Sequence, residues 1–224
     1  MKIIKLVHRC FLLIHIKDKQ YIVKNWNGTE KSVYKKCEGL GITPPFQIIF
    51  FIFLCIEYDQ DFINLHDFLT FDYGINNKHG IISDIISKLK KLHERGIAWM
   101  DMKPENIIIN TKTLQTFFID FDHSFTNQKG QRIGYTFPYV APEYFSEPPK
   151  ENLFLLQKND IFVLGMIIIL LLGHARVLLF RGKHLTKNYR YFIKNIKKYQ
   201  EIINHYFQER KYFLEINPYD RKLY

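Results

Sequence analysis

Four polar side chains in one short stretch carry the chemistry that this chain offers. They are Asp101, Lys103, Asn106 and Asp120, within WMDMKPENIIINTKTLQTFFIDFD at residues 99–122. Asp101 is followed two residues later by Lys103 and five later by Asn106. A β-branched run (Ile107 to Ile109), a polar turn (Asn110 to Gln115) and a second apolar run (Thr116 to Ile119) then deliver Asp120-Phe121-Asp122. A hairpin of that layout brings the amide at 106 and the carboxylate at 120 to one edge of a sheet. Carboxylate and carboxamide oxygens are the hard ligands that a small divalent cation takes. The plainer alternative is a chance loop followed by a strand end with exposed carboxylates. The fixed order of the two motifs, with further motifs downstream, weighs against it.

The order and spacing resemble the catalytic loop and metal-binding motif of the eukaryotic-type protein kinase family. Phosphoryl transfer needs little covalent help; it needs an oriented nucleophile and positive charge on the phosphate oxygens. By the resemblance, Asp101 and Lys103 are the catalytic pair. Asp101 would accept the proton of a substrate hydroxyl, and Lys103 would steady the γ-phosphate. Asn106 and Asp120 would hold Mg2+, and ATP would be the phosphoryl donor.

The elements that must position these groups read as follows. Residues 11–16 (FLLIHI) and 21–26 (YIVKNW), joined by KDKQ, form a hairpin of apolar strands. Lys24 falls where the family keeps the lysine that pairs the nucleotide's α- and β-phosphates. Asn27-Gly28 breaks the strand, and Thr29 caps a helix to about Glu38, stopped by Gly39 and Gly41. The family's ion-pair partner for the strand lysine lies on this helix, and the placing of the Gly41–Pro45 turn favours Glu30 over Glu38. No glycine precedes Gly28. The family's glycine-rich phosphate turn would fall near residues 2–9, which leaves no room for a first strand. Either the fold has dropped both features or the chain continues upstream.

Residues 46–58 (FQIIFFIFLCIEY) give two buried strands without an obvious turn, and Glu57-Tyr58-Asp59 resemble the hinge that receives adenine. Asn64 to Thr70 reads as a short helix. Ile82, Ile85, Ile86, Leu89 and Leu92 form the core stripe of a longer one, from Ile81 to about Glu94, which Gly96 ends. Where the family has His-Arg before the catalytic Asp, this chain has Trp99-Met100. Losing that Arg removes the usual partner of an activation-loop phosphate. Asp122 stands where the family has the glycine of Asp-Phe-Gly, a position that tests how well Asp takes unusual backbone angles.

Residues 123–140 would be the activation segment, ending in Ala141-Pro142-Glu143. Thr136 matches the threonine that touches the catalytic Asp and Lys in Ser/Thr-directed members. Asp160 resembles the buried Asp that bonds the catalytic-loop backbone, and Arg221 the partner of Glu143. The sequence stops three residues after Arg221, so the family's last helix is expected to be missing, and the resemblance spans about residues 10–221.

Composition bounds the rest. The chain has 224 residues and a formal charge of +10. From His174 onward twelve Lys and Arg stand against four Asp and Glu, a net +8. Such a face suits an acidic partner or is merely solvated; no nucleic-acid motif accompanies it, and nucleic acid is not the expected partner. Cys10, Cys37 and Cys55 lack a metal-ligand spacing, and an odd count fits a reducing, intracellular compartment. The apolar runs at 48–56 and 161–172 fall short of the ~20 residues a spanning helix needs and read as a buried strand and a buried helix, with no membrane span.

The expectation is an α+β, protein kinase-like, two-lobed fold over residues 1–224. Residues 1–58 would be a reduced, β-rich amino-terminal lobe lacking the glycine-rich loop, and 59–224 a mostly helical carboxy-terminal lobe. The resemblance implies ATP- and Mg2+-dependent phosphorylation of Ser or Thr in a protein substrate. The alternative is a pseudokinase, a protein-binding module that has lost turnover, favoured by the missing glycine-rich turn and the altered His-Arg.

Overall fold

The described residues of this computed structural model are 2–8, 11–16, 19–25, 28–50, 53–71, 77–127, 131, 133–145, 150–179, 184–209 and 211–223. Its amino-terminal part is an antiparallel sheet of β1 (Lys2–His8), β2 (Phe11–Ile16), β3 (Lys19–Asn25), β4 (Phe46–Ile49) and β5 (Phe53–Tyr58). The strands lie in the order β1-β2-β3-β5-β4. The expectation of no first strand is thereby corrected. The run KIIKLVH pairs with β2, Lys2 opposite His15 and His8 opposite Phe11, as its β-branched content favours. The connection, Arg9-Cys10, lies outside the described residues.

Residues 46–58 divide into β4 and β5, with Phe50 at φ 51° at the end of the first strand. Only β5 is deeply buried; every residue of β4 keeps some exposure. The helix α1 (Gly28–Cys37) starts one residue before Thr29, which therefore sits in the first turn and is not the cap. Glu30 in that turn and Lys35 and Lys36 in the last complement the helix dipole. Gly39, at φ 73°, supplies the left-handed residue that closes the helix.

The carboxy-terminal part begins with β6 (Phe62–Asn64) and α2 (Leu65–Thr70), whose first turn is capped by the Asn64 side chain. The amphipathic α3 (Lys78–Glu94) buries Ile82, Ile85, Leu89 and Leu92, while Ile86 stays partly exposed. The expected hairpin is β7 (Ile107–Asn110) and β8 (Thr116–Phe118), paired from Ile107–Phe118 to Ile109–Thr116. With β6 it forms a second, three-stranded sheet.

The helix α3 and the later helix over Ile196–Phe207 pack against α4 (Leu153–Leu171), which is apolar on all sides and buried along almost its whole second half. It is long and apolar enough to cross a membrane, but 72% of its apolar window is buried in the protein, as suits a core helix. At Gly165 an added Cβ would come within 2.6 Å of the Leu214 side chain, so only glycine allows that approach. The amphipathic α5 (Leu185–Lys194) and α6 (Ile196–Phe207) complete the chain, turning Tyr189, Phe192, Tyr199 and Ile203 inward.

Candidate active site

A cleft of about 510 Å3 lies between the first sheet and the second. Its walls include Ile22, Lys24, Ile56, Asn106, Ile108 and Asp120. The strand β3 brings Lys24 to this cleft, and α1 brings Glu30 to Lys24. The Lys24 ammonium donates to Glu30 Oε1 at 2.8 Å and to Asp120 Oδ1 at 3.2 Å. Of the two candidate glutamates, the structure selects Glu30, which is fully buried, whereas Glu38 is exposed. The short six-residue interval from Lys24 suffices because β3 runs almost directly into α1.

Burial works against charge on Lys24, yet the Glu30 and Asp120 carboxylates outweigh it and hold the ammonium above its ordinary value. Burial pushes the Glu30 carboxyl up to about 8, opposed by Lys24 and reinforced by Asp122, which lies within hydrogen-bonding reach. The ligand atoms of Glu30, Asp120 and Asp122 all lie within 4.8 Å of one another. Asp122 therefore adds a third carboxylate where the family has glycine, and Lys24 is the cation set among them. The left-handed backbone angle falls on Asp120, at φ 62°, and Asp122 is not among the positive-φ residues. The backbone demand expected at 122 is absent, so a side chain is accommodated there without strain.

The second group of residues is assembled by the loop before β7. Asp101 Oδ1 accepts the Thr136 hydroxyl at 2.6 Å, and Asp101 Oδ2 accepts the Lys103 ammonium at 2.6 Å. Lys103 also donates to Thr136 Oγ1 at 2.9 Å, closing a triangle. The Asn106 amide nitrogen donates to the Asp101 carbonyl at 2.9 Å and to its carboxylate at 3.2 Å. That fixes the nitrogen toward Asp101 and leaves the amide oxygen as the ligand-facing atom. Asn106 also accepts the Ile119 N–H at its carbonyl, at 3.1 Å, which ties the loop carrying Asp101 to the residue before Asp120. The structure thus brings Asp101, Lys103, Asn106 and Asp120 together, with Lys24 in contact with Asp120 and Glu30 behind it.

Glu57 and Tyr58 both line the cleft at the end of β5. The Glu57 N–H already donates to the Pro45 carbonyl at 2.8 Å, and its carboxylate accepts from the Lys19 ammonium at 2.8 Å. Glu57 therefore forms cleft wall, and its N–H is not a donor for a base.

Two supports hold this arrangement. Asp160, fully buried in α4, accepts the N–H groups of Trp99 at 2.7 Å and Met100 at 2.8 Å. Trp99 itself is buried, stacks on Phe118 at 4.4 Å and continues through Phe121 to Tyr34 of α1 in steps of 5.5 Å. Its indole N–H donates to the Asp120 carbonyl at 3.3 Å. The residue that departs from the family's His is thus an aromatic column member. At the far end of the activation segment, Arg221 makes a bidentate pair with Glu143 at 2.6 and 2.7 Å.

Two contacts had no signal in the sequence. His93 reaches Asp160 at 3.0 Å from the last turn of α3. Gln131 bonds Thr126 and Thr29 from within a polar segment, TNQKGQR, where nothing in spacing or pattern singles it out.

The family profile described as protein kinase domain matches residues 47–218. The chain belongs to the protein kinase domain family. The match leaves out residues 1–46, although these supply the first four strand and helix elements, Lys24 and Glu30. Among individual proteins, the chain is similar to the human serine/threonine-protein kinase SBK2, 32% identical over 99 residues, covering 42% of this chain and 28% of that one. It is also similar to the Arabidopsis thaliana serine/threonine-protein kinase PEPKR2, 31% identical over 128 residues, covering 56% of this chain and 25% of the relative. A probable serine/threonine-protein kinase of Dictyostelium discoideum, fnkE, is 36% identical over 110 residues, 44% of this chain and 8% of its own length. The matched part spans about a quarter or less of these relatives.

Proposed function

We propose that this chain is an ATP- and magnesium-dependent kinase that phosphorylates Ser or Thr hydroxyls of a protein substrate. The observation that carries this reading is the convergence of Lys24, Asn106 and Asp120 on one cleft, next to an Asp101 held by Thr136 and Lys103. The names of the similar proteins, all serine/threonine kinases, support it.

The residues present fit the cofactor. The Asn106 oxygen and the Asp120 carboxylate are hard ligands of the kind magnesium takes while keeping some of its water. When bound, magnesium would supply positive charge to the triphosphate oxygens. Lys24 would bind the α- and β-phosphates, with Glu30 fixing its direction. Asp101 would orient the substrate hydroxyl and accept its proton as the new P–O bond forms and the bond to ADP breaks. Lys103 would neutralise the γ-phosphoryl oxygens, and Thr136 would keep Asp101 aimed at the groove. The exposed Lys187, Arg190, Lys194, Lys197 and Lys198 on α5 and α6 suit an acidic segment of that substrate.

A second reading, a nucleotide-poor binding module, is favoured by one observation, the extra carboxylate of Asp122 beside Asp120. Nucleotide-dependent melting followed by phospho-amino-acid analysis separates the two. A competent kinase gains about 2.7 kcal/mol with MgATP at about 100 times its dissociation constant and leaves label on Ser and Thr. A binding module gives no labelled residue.

A further inference from the structure

The contacts of the Gln131 side chain lie outside the machinery described above, and they join the activation segment to α1. Its side-chain carbonyl accepts the Thr126 N–H at 2.7 Å. Its amide nitrogen donates to Thr126 Oγ1 at 2.9 Å and to Thr29 Oγ1 at 3.3 Å. Thr126 follows the bridge between Phe125 and Ala98, where the chain leaves Asp120-Phe121-Asp122. Thr29 lies in the first turn of α1 and directly precedes Glu30. One amide therefore braces the activation segment internally, between residues 126 and 131, and ties it to the helix that carries the Lys24 partner.

We infer that Gln131 is a positioning residue, a phosphate-free latch that holds α1 and Glu30 against Lys24. The inference rests on the kinase reading for its kinetic consequences and on geometry alone for the latch. Met100 gives a loop phosphate no guanidinium at the position before Asp101. A neutral amide with one acceptor and one two-hydrogen donor matches the groups it meets, a backbone N–H and two hydroxyls, and needs no counter-charge. Helix α1 has only ten residues, too few to stay helical unaided, so it is held by its buried face, with Val33, Tyr34 and Cys37, and by contacts at its ends. The latch supplies such a contact at the amino-terminal end, one residue from the functional carboxylate.

The test compares the full chain with Gln131→Leu, which keeps bulk and removes the side-chain bonds to Thr126 and Thr29, and with Thr29→Val, which removes only the acceptor on α1. Amide hydrogen exchange is read first. Exchange in the first turns of α1 should quicken about fivefold in either variant, for the loss of one net hydrogen bond, while α4 stays protected. The double variant should show no more than Gln131→Leu alone. In steady-state assays the KM for ATP should rise by a similar factor, about fivefold, with the peptide KM unmoved. Phosphatase treatment of the wild type should leave its rate unchanged.

Unaltered exchange of α1 in both variants overturns the latch whatever the activity. Faster exchange without a change in the ATP KM overturns its positioning role, and a rate lost on phosphatase treatment overturns its independence of phosphate. A wild type without phosphotransfer, but with exchange that responds as stated, sinks the kinase reading and leaves the latch standing. Should Gln131→Leu also expose α4, Thr29→Val carries the comparison.

Discussion

Asp160 accepts the backbone N–H of Met100 at 2.8 Å, and Met100 is held in the left-handed region at φ 67°. A non-glycine residue pays roughly 1–2 kcal/mol to sit there, so the loop that carries Asp101 does not take its shape unaided. The same carboxylate accepts the Trp99 N–H, and both residues are fully buried. The core helix thus dictates the backbone that aims Asp101.

Asp160→Ala strands those two buried N–H groups. It should lower stability by about 3 kcal/mol, whereas Asp160→Asn, keeping one acceptor, should lose roughly half as much. Urea unfolding measures both. A change under about 0.5 kcal/mol for the alanine variant, the level of an ordinary surface substitution, would remove Asp160 from this role.

Arg221 is completely buried, and besides Glu143 it donates to the carbonyls of Glu215 and Ile216. Arg221→Leu leaves Glu143 without its counter-charge and should cost about 3–5 kcal/mol. Adding Glu143→Leu should recover part of that loss, because the two side chains act as a unit. Strictly additive losses in thermal unfolding would show that the pair is incidental.

Cys37, on the last turn of α1, is 1% exposed, and burial pushes its thiol up to about 12. The thiolate is the reactive form, so its population near pH 8.5 should be on the order of a thousandfold below that of a free cysteine. Alkylation followed by mass spectrometry should find Cys37 unmodified in the folded chain and modified in urea. The folded state prefers the thiol, so this group's contribution is complete below the ordinary value of 9.0 and is lost as pH rises toward about 12. Rapid native labelling at pH 8.5 would show that α1 is not docked.

Much of the site is legible in the sequence because its residues sit close together in the chain. Asp101, Lys103 and Asn106 share one loop, and the hairpin that follows is written in alternating apolar and turn residues, so its geometry is nearly local. Arg221 and Asp160 needed the family's order of motifs, since nothing local points to Glu143 or to the Trp99 backbone. What stayed hidden is set by packing. Trp99 looks like a lost histidine until Phe118 and Phe121 are placed beside it. The left-handed angle belongs to Asp120 and leaves Asp122 a side-chain role near Glu30, which no spacing rule foretells. Residues 2–8, read as the place of the glycine-rich turn with no room left for a first strand, pair because β2 offers them an open edge.

Lys24 should be required for nucleotide binding more than for folding. Lys24→Met removes the cation between Glu30 and Asp120, while Glu30, already pushed up to about 8, takes a proton and stays buried. Thermal unfolding should shift little, and the stabilisation by MgATP should largely vanish. A variant that melts as wild type and still gains stability from MgATP would place the triphosphate elsewhere.

The most direct measurement is the single-turnover rate of γ-phosphoryl transfer from MgATP to protein Ser or Thr, for the wild type beside Asp101→Asn. The substitution keeps the size of the side chain, which Thr136 and Lys103 hold at 2.6 Å each, and removes the proton acceptor. The rate should fall by about 10²–10⁴-fold, the usual contribution of a positioned base, with ATP affinity little changed. Equal rates for the two proteins would contradict the assignment of Asp101 and, with it, the proposed catalysis.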